Sequence, residues 1–181
     1  MMYRIVKVLN HNTFIGIRSK DKCKCLIMGK GIAFGRKVSE SISVGEDAKV
    51  YTLTELTERG SAEEIIRSVP PECLELAGEI LDHAEKVFGQ IDRSILFPMA
   101  DHLAFAVQRI RNQEQISNPL TEDIRILFHQ EYKVAKCAEQ LLRERLHVEI
   151  DEHEIGYIAL HVHAAIEDPV SYTHLTLPTK A

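Results

Sequence analysis

Cysteine is scarce in this chain of 181 residues, four in all, which excludes a disulfide scaffold at this length. Two of the four stand as Cys23-Lys24-Cys25, with one residue between the thiols and no second pair nearby. That is the wrong spacing for a zinc site; in a strand the two side chains share a face and read as small packing residues. Long apolar runs are missing as well. No stretch approaches the roughly 18 residues of a membrane span, and no apolar signal segment follows Met1-Met2-Tyr3-Arg4, so no membrane insertion and a cytoplasmic location are expected. Acidic residues are almost absent from the first 37 positions, where Asp21 stands alone against nine basic side chains: Arg4, Lys7, Arg18, Lys20, Lys22, Lys24, Lys30, Arg36 and Lys37.

What is present is therefore divided by charge. Residues 1–55 hold ten Lys and Arg against five Asp and Glu, so the rest of the chain carries −10 within the total of −5. A basic module of this kind attracts phosphate backbones, although a charge run is also an ordinary solvated face.

Hydrophobic periodicity divides the chain at the same place. Up to residue 55 it reads as β structure: strands over Tyr3 to Leu9, Thr13 to Arg18, Cys23 to Met28 and Lys49 to Leu53, with Asn10-His11-Asn12 as a turn and Gly29-Lys30-Gly31 breaking the third strand. Four short strands with one apolar face bury little, so homodimerisation is expected. From residue 56 the period becomes about 3.6. One stripe runs from Cys73 to Phe88, opened by Pro70-Pro71 and closed by Gly89; a second runs from Leu96 to Ile110; Thr121 and Asp151 read as helix caps. The expected fold is a small four-stranded antiparallel β domain over residues 1–56, followed by an all-α five-helix bundle over 60–168. Residues 170–181 fit neither pattern, read as a non-native tail and are given no function.

Single residues in the basic module each have an ordinary explanation. Asn10 and Asn12 offer amides that can read base edges, but they also suit a turn. Gly29 and Gly31 let backbone approach a nucleic acid with Lys30 directed at phosphate, but Gly-Lys-Gly also suits a turn. Phe34 can stack on a base or sit in a core. In the helical part His102 lies at the edge of the stripe formed by Met99, Leu103 and Ala106, with Arg109 two turns along on the same side. A half-exposed histidine there can take a phosphoryl group and an arginine can hold its charge. His161 and His163 fall on opposite flanks of the last helix, and periodicity does not choose between them.

The joint spacing is more specific. Lys7, Asn10 and Asn12, then Met28-Gly29-Lys30-Gly31-Ile32-Ala33-Phe34, resembles the RNA-binding segment of the BglG/SacY-type transcriptional antiterminators. Met99-Ala100-Asp101-His102-Leu103-Ala104-Phe105-Ala106 and Glu154-Ile155-Gly156-Tyr157-Ile158-Ala159-Leu160-His161 resemble segments of that family's first phosphotransferase-system (PTS) regulation domain. The resemblance implies a dimeric co-antiterminator domain that binds an RNA hairpin in an mRNA leader and prevents a terminator from forming. It implies RNA contacts from Lys7, Asn10, Asn12, Gly29, Lys30, Gly31 and Phe34. It implies phosphorylation of His102 and His161, with Asp101 orienting the site and a PTS sugar permease (enzyme II) as phosphoryl donor. His163 has no match. No counterpart of the family's second regulation domain is expected after Pro169. No enzyme activity, cofactor or metal is implied.

Two rival readings belong to other classes. A metal enzyme using His153, His161 and His163 is disfavoured because positions 161 and 163 diverge by about 200° around a helix. A dimeric DNA-binding regulator would use the basic sheet as a groove reader, and competition between duplex DNA and hairpin RNA discriminates it.

Overall fold

The computed structural model describes residues 1–166 apart from 55, 58, 59 and 115. Two compact units divide the chain, Met1–Glu75 and Leu76–Ala181. The tail expected over 170–181 lies outside the described residues.

In the first unit, β1 (Met2–Asn10), β2 (Thr13–Arg18), β3 (Lys24–Met28), β4 (Ser41–Ser43) and β5 (Lys49–Thr52) form one antiparallel sheet in the order β4-β1-β2-β3-β5. The sheet thus has five strands where four were expected. The extra strand, β4, pairs its three residues with Met2, Tyr3 and Arg4. It buries only Ile42 between two exposed serines, too short an alternation to show as a strand. Register explains the core: Tyr3, Ile5, Phe14, Cys25, Ile27 and Ile42 pack together on one face with Ala33 and Val44, and Cys23 lies partly buried against them. The opposite face is not left apolar and open. Ile15, Leu26 and Tyr51 stand in one cross-strand row there, and all three are buried.

A two-residue ribbon, β6 (Leu56–Thr57) with β7 (Gly60–Ser61), leads into α1 (Ala62–Ser68), an element absent from the sequence reading. Its start is a capping box, in which Ser61 and Glu64 each take the other's backbone N–H. Glu63 on α1 pairs with Lys24 on β3.

The remaining helices are α2 (Pro71–Phe88), α3 (Leu96–Arg111), α4 (Thr121–Leu127), α5 (His129–Ala135), α6 (Cys137–Leu146) and α7 (Glu152–Ile166), six in addition to α1 among the described residues, where five were expected over 60–168. Apolar residues recur at helical spacing from Ile124 to Leu146, yet the helix breaks at Phe128, whose φ of −116° and ψ of 52° leave the helical region, and turns again at Lys136. Periodicity does not register a one-residue break. α2 begins and ends as the sequence predicts, with proline at its first position and Gly89 at φ 81° closing it through Gly89 N–H to the Glu85 carbonyl.

α7 is the element on which the second unit is assembled. α3, α4 and α5 all pack against it, and Ile155, Ile158, Ala159, Val162 and Ala165 supply its buried face. Asp151 caps it as expected, its Oδ1 accepting from the N–H groups of His153 at 3.0 Å and Glu154 at 3.2 Å. Thr121 does not cap α4. It is the first helical residue, and its buried hydroxyl donates backward to the Asn118 carbonyl at 2.7 Å. Gly156 lies in the same contact region, where a Cβ would stand 3.0 Å from Asn118 Nδ2 and 3.7 Å from Ile124 Cδ1, so a larger residue would press on the Asn118 side chain.

Candidate functional sites

The first site is built from two loops at one end of the sheet, Asn10–Thr13 between β1 and β2 and Gly29–Arg36 after β3. Backbone and side chain knit them together. Gly29 N–H donates to the Asn12 carbonyl and Ala33 N–H to the His11 carbonyl, both at 2.9 Å. Asn10 Oδ1 accepts from Asn12 N–H at 2.9 Å, and Asn12 Oδ1 accepts from Gly31 N–H at 2.7 Å. Because each partner is an N–H, the side-chain atom engaged must be the amide oxygen. Both asparagines therefore commit their amide oxygen to shaping the loops through one accepted bond each and keep their NH2 donors, which make no hydrogen bond among the described residues. Gly31 adopts a φ of 68°, with nothing within 4 Å of where a Cβ would stand. The left-handed conformation, rather than crowding, calls for glycine there.

Phe34 is not a core residue. It is 68% exposed and meets His11 edge to face, with ring centroids 5.0 Å apart. The core position in this loop is taken by Ala33, which is buried. Lys7 and Lys30 are both exposed. The two loops thus present two amide donors, an open glycine backbone, an exposed aromatic pair and cationic side chains, with no acidic residue between positions 22 and 39. His11 was missed by the sequence reading; its place in the Asn-His-Asn turn, opposite an aromatic, was the available signal.

The second site lies where α3 meets α7. Glu154, in the first turn of α7, has a side chain only 4% exposed and receives two partners from α3. His102 Nε2 lies 3.0 Å from its Oε2, and Arg109 donates to its Oε1 at 2.7 Å. Burial pushes the Glu154 carboxyl up, but the hydrogen bonds and charges of His102 and Arg109 outweigh it and hold the group below the usual carboxylate range. The His102 and His161 rings lie 5.5 Å apart, and Tyr157 stands at the same distance from His102. The structure therefore brings His102, Arg109 and His161 together. Asp101 is buried on α3, and the carboxylate that meets the His102 ring is Glu154. Glu154 stands inside the quoted motif, but its role depends on a contact across 52 residues of sequence that spacing does not reveal.

The other α7 histidines go elsewhere. His163 Nδ1 lies 2.9 Å from Glu131 Oε2 and its ring sits 4.1 Å from that of Phe128. His153 Nδ1 lies 2.8 Å from Thr121 Oγ1. The three histidines considered for a metal thus have three different surroundings, and among the described residues no group of three or more His, Cys, Asp or Glu side chains is placed to hold an ion. Nor is any helix among them long and apolar enough to cross a membrane.

Comparison with known proteins agrees with this division. Residues 3–59 match the CAT RNA binding domain and residues 78–165 the PRD domain. The chain is 29% identical over 160 residues to the transcription antiterminator LicT of Bacillus subtilis (strain 168), covering 88% of this chain and 57% of that protein. It is 31% identical over 175 residues to protein GlcT of Staphylococcus epidermidis, with the same coverage of 88% and 57%. The chain thus spans a little over half the length of the curated relatives it matches. A crystal structure of GlcT CAT-PRDI superposes with a TM-score of 0.75 at 26% identity, over 93% of this chain and 100% of that one. An RNA-binding domain of the CAT type followed by a single matched PRD, in the same order and fold as in GlcT, places this chain in the BglG/SacY-type transcriptional antiterminator family.

Proposed function

We propose that this chain is a sugar-responsive antiterminator: as a homodimer it binds an RNA hairpin in a nascent mRNA leader, and PTS-dependent phosphorylation of His102 and His161 controls that binding. The observation that carries the RNA reading is the pair of knitted loops. Their asparagine oxygens are turned inward to loop N–H groups and their NH2 groups are left unbonded, a set of donors suited to the acceptor-rich shallow groove and 2′-hydroxyls of an irregular RNA helix. Lys7 and Lys30 supply phosphate contacts, Gly29 and Gly31 admit the RNA backbone, and Phe34 stacks at a disrupted base step. The RNA-binding and regulatory segments are assigned to residues 1–56 and 60–168, with Asp101 helping to orient the phosphorylation site.

The test is a titration of the full chain with the leader hairpin of its own operon, competed by a mismatched hairpin and by duplex DNA of the same sequence. Preference for the intact hairpin is expected. Equal competition by duplex DNA would favour the DNA-regulator reading, and sedimentation at micromolar concentration checks the dimer.

A further inference from the structure

We infer that His102 takes its phosphoryl group on Nδ1, and that Glu154 is the positioning residue that makes this choice by holding the ring through Nε2–H. The inference rests on the reading of His102 as a phosphoacceptor and specifies the atom.

The chemistry follows from which groups can donate. Glu154 is buried, and its oxygens meet one nitrogen of His102 at 3.0 Å and one of Arg109 at 2.7 Å. Its two partners keep it ionised against the opposing effect of burial, and an ionised carboxylate only accepts. The nitrogen facing it must therefore carry the proton, and in a neutral imidazole the other nitrogen then bears the lone pair. No hydrogen bond among the described residues engages His102 Nδ1. Nε2 is poorly suited to receive the group, since modification there would break the bond to Glu154 and set a dianion against a buried carboxylate.

The transfer balances on this assignment. The Nδ1 lone pair attacks phosphorus, an N–P bond forms, and the P–N or P–S bond of a protein phosphohistidine or phosphocysteine donor breaks with its electron pair leaving on the donor atom. The ring becomes an imidazolium that keeps its Nε2–H on Glu154, and the donor takes a proton from solvent where its leaving atom requires one. The positive charge created on the ring is thus formed beside an existing negative one. Arg109 retains a buried Nε donor with no hydrogen-bond partner, so the guanidinium next to the site is not fully spent.

The experiment uses the full chain with potassium phosphoramidate as phosphoryl donor. Long-range proton–nitrogen spectra read the His102 tautomer before reaction, and coupling to phosphorus together with peptide mapping reads the isomer afterwards. The expected result is the Nε2–H tautomer and an Nδ1-phosphate in about tenfold excess, the preference that one buried hydrogen bond supplies. Glu154→Gln should lose it, because Arg109 can only donate and takes the amide oxygen, leaving the NH2 to face Nε2 and favour the Nδ1–H tautomer, and Glu154→Ala should bring the two isomers toward parity. An Nε2-phosphate in the unmodified chain, or an Nδ1–H tautomer, would overturn the assignment while leaving His102 a phosphoacceptor. A His102 that stays unmodified while other histidines react would instead remove the phosphoacceptor reading and this assignment with it. Should Glu154→Ala fail to fold, the tautomer and isomer of the unmodified chain and of Glu154→Gln still decide.

Discussion

The two sites solve opposite problems. The loop pair at the sheet end is knitted by neutral hydrogen bonds, so its asparagine donors are oriented before any ligand arrives. The α3–α7 site does the reverse: it buries an ionised carboxylate and closes a histidine and an arginine over it. A binding surface gains from ordering before contact, since less conformational freedom is lost on association. A switch gains from burial, because a charge added to a dry, paired cluster changes far more energy than one added to a wet surface.

Removing the buried acid gives the largest expected effect. Glu154→Ala leaves His102 and Arg109 without their shared partner, and breaking such a pair should cost about 3 kcal/mol in urea unfolding. The contribution carries a pH signature. Because the native carboxyl titrates below its ordinary value of 4.5, its stabilisation is complete above that value and is lost as pH falls through the lower native one. The stability gap between the unmodified chain and Glu154→Gln should therefore narrow on acidification below the usual glutamate range. A gap independent of pH would mean that Glu154 packs rather than pairs.

On the RNA side, Asn12→Ala should cost about 2 kcal/mol of hairpin affinity, since it removes both an outward donor and the bond that fixes Gly31. Asn10→Ala removes a turn bond confined to its own loop and should cost less. Equal losses would show that the amide donors matter and the knitting of the loops does not. Lys30→Ala should cost less again, about 1 kcal/mol, and should reduce the slope of log affinity against log salt by about one contact's share.

The sites differ in how far the sequence discloses them. Asn10, Asn12 and the Gly29–Phe34 segment are separated by short, countable intervals, and the pairing of Asn10 with Thr13 and of Thr13 with Met28 brings them together with little freedom to do otherwise. What spacing left open was the state of each group: that Phe34 lies outside the core, and that the asparagine oxygens are already used. The α3–α7 cluster was half legible. Helical periodicity put His102 and Arg109 on one side, but their common partner comes from a helix that begins 41 residues after α3 ends. β4 is invisible in the sequence because three residues carry too little alternation, and Thr121 has the residue type of a cap, which alone does not reveal which way its hydroxyl points.

The smallest effect is expected at His163, and it separates a histidine that is paired from one that is used. His163 has a carboxylate partner as His102 does, with Nδ1 2.9 Å from Glu131 Oε2, but its side chain is 38% exposed against 15% for His102. Solvent screens that pair, so His163→Ala should change stability by no more than about 1 kcal/mol, some of it from the lost stacking on Phe128. Antitermination in a reporter should keep its sugar response. His161→Ala should abolish or distort that response, because its ring is the one beside His102. The two residues are only two positions apart on α7, so a general weakening of the helix would affect both variants alike. A phosphopeptide mapped to His163, or equal loss of regulation in the two variants, would show that proximity to His102 is not what selects the second acceptor.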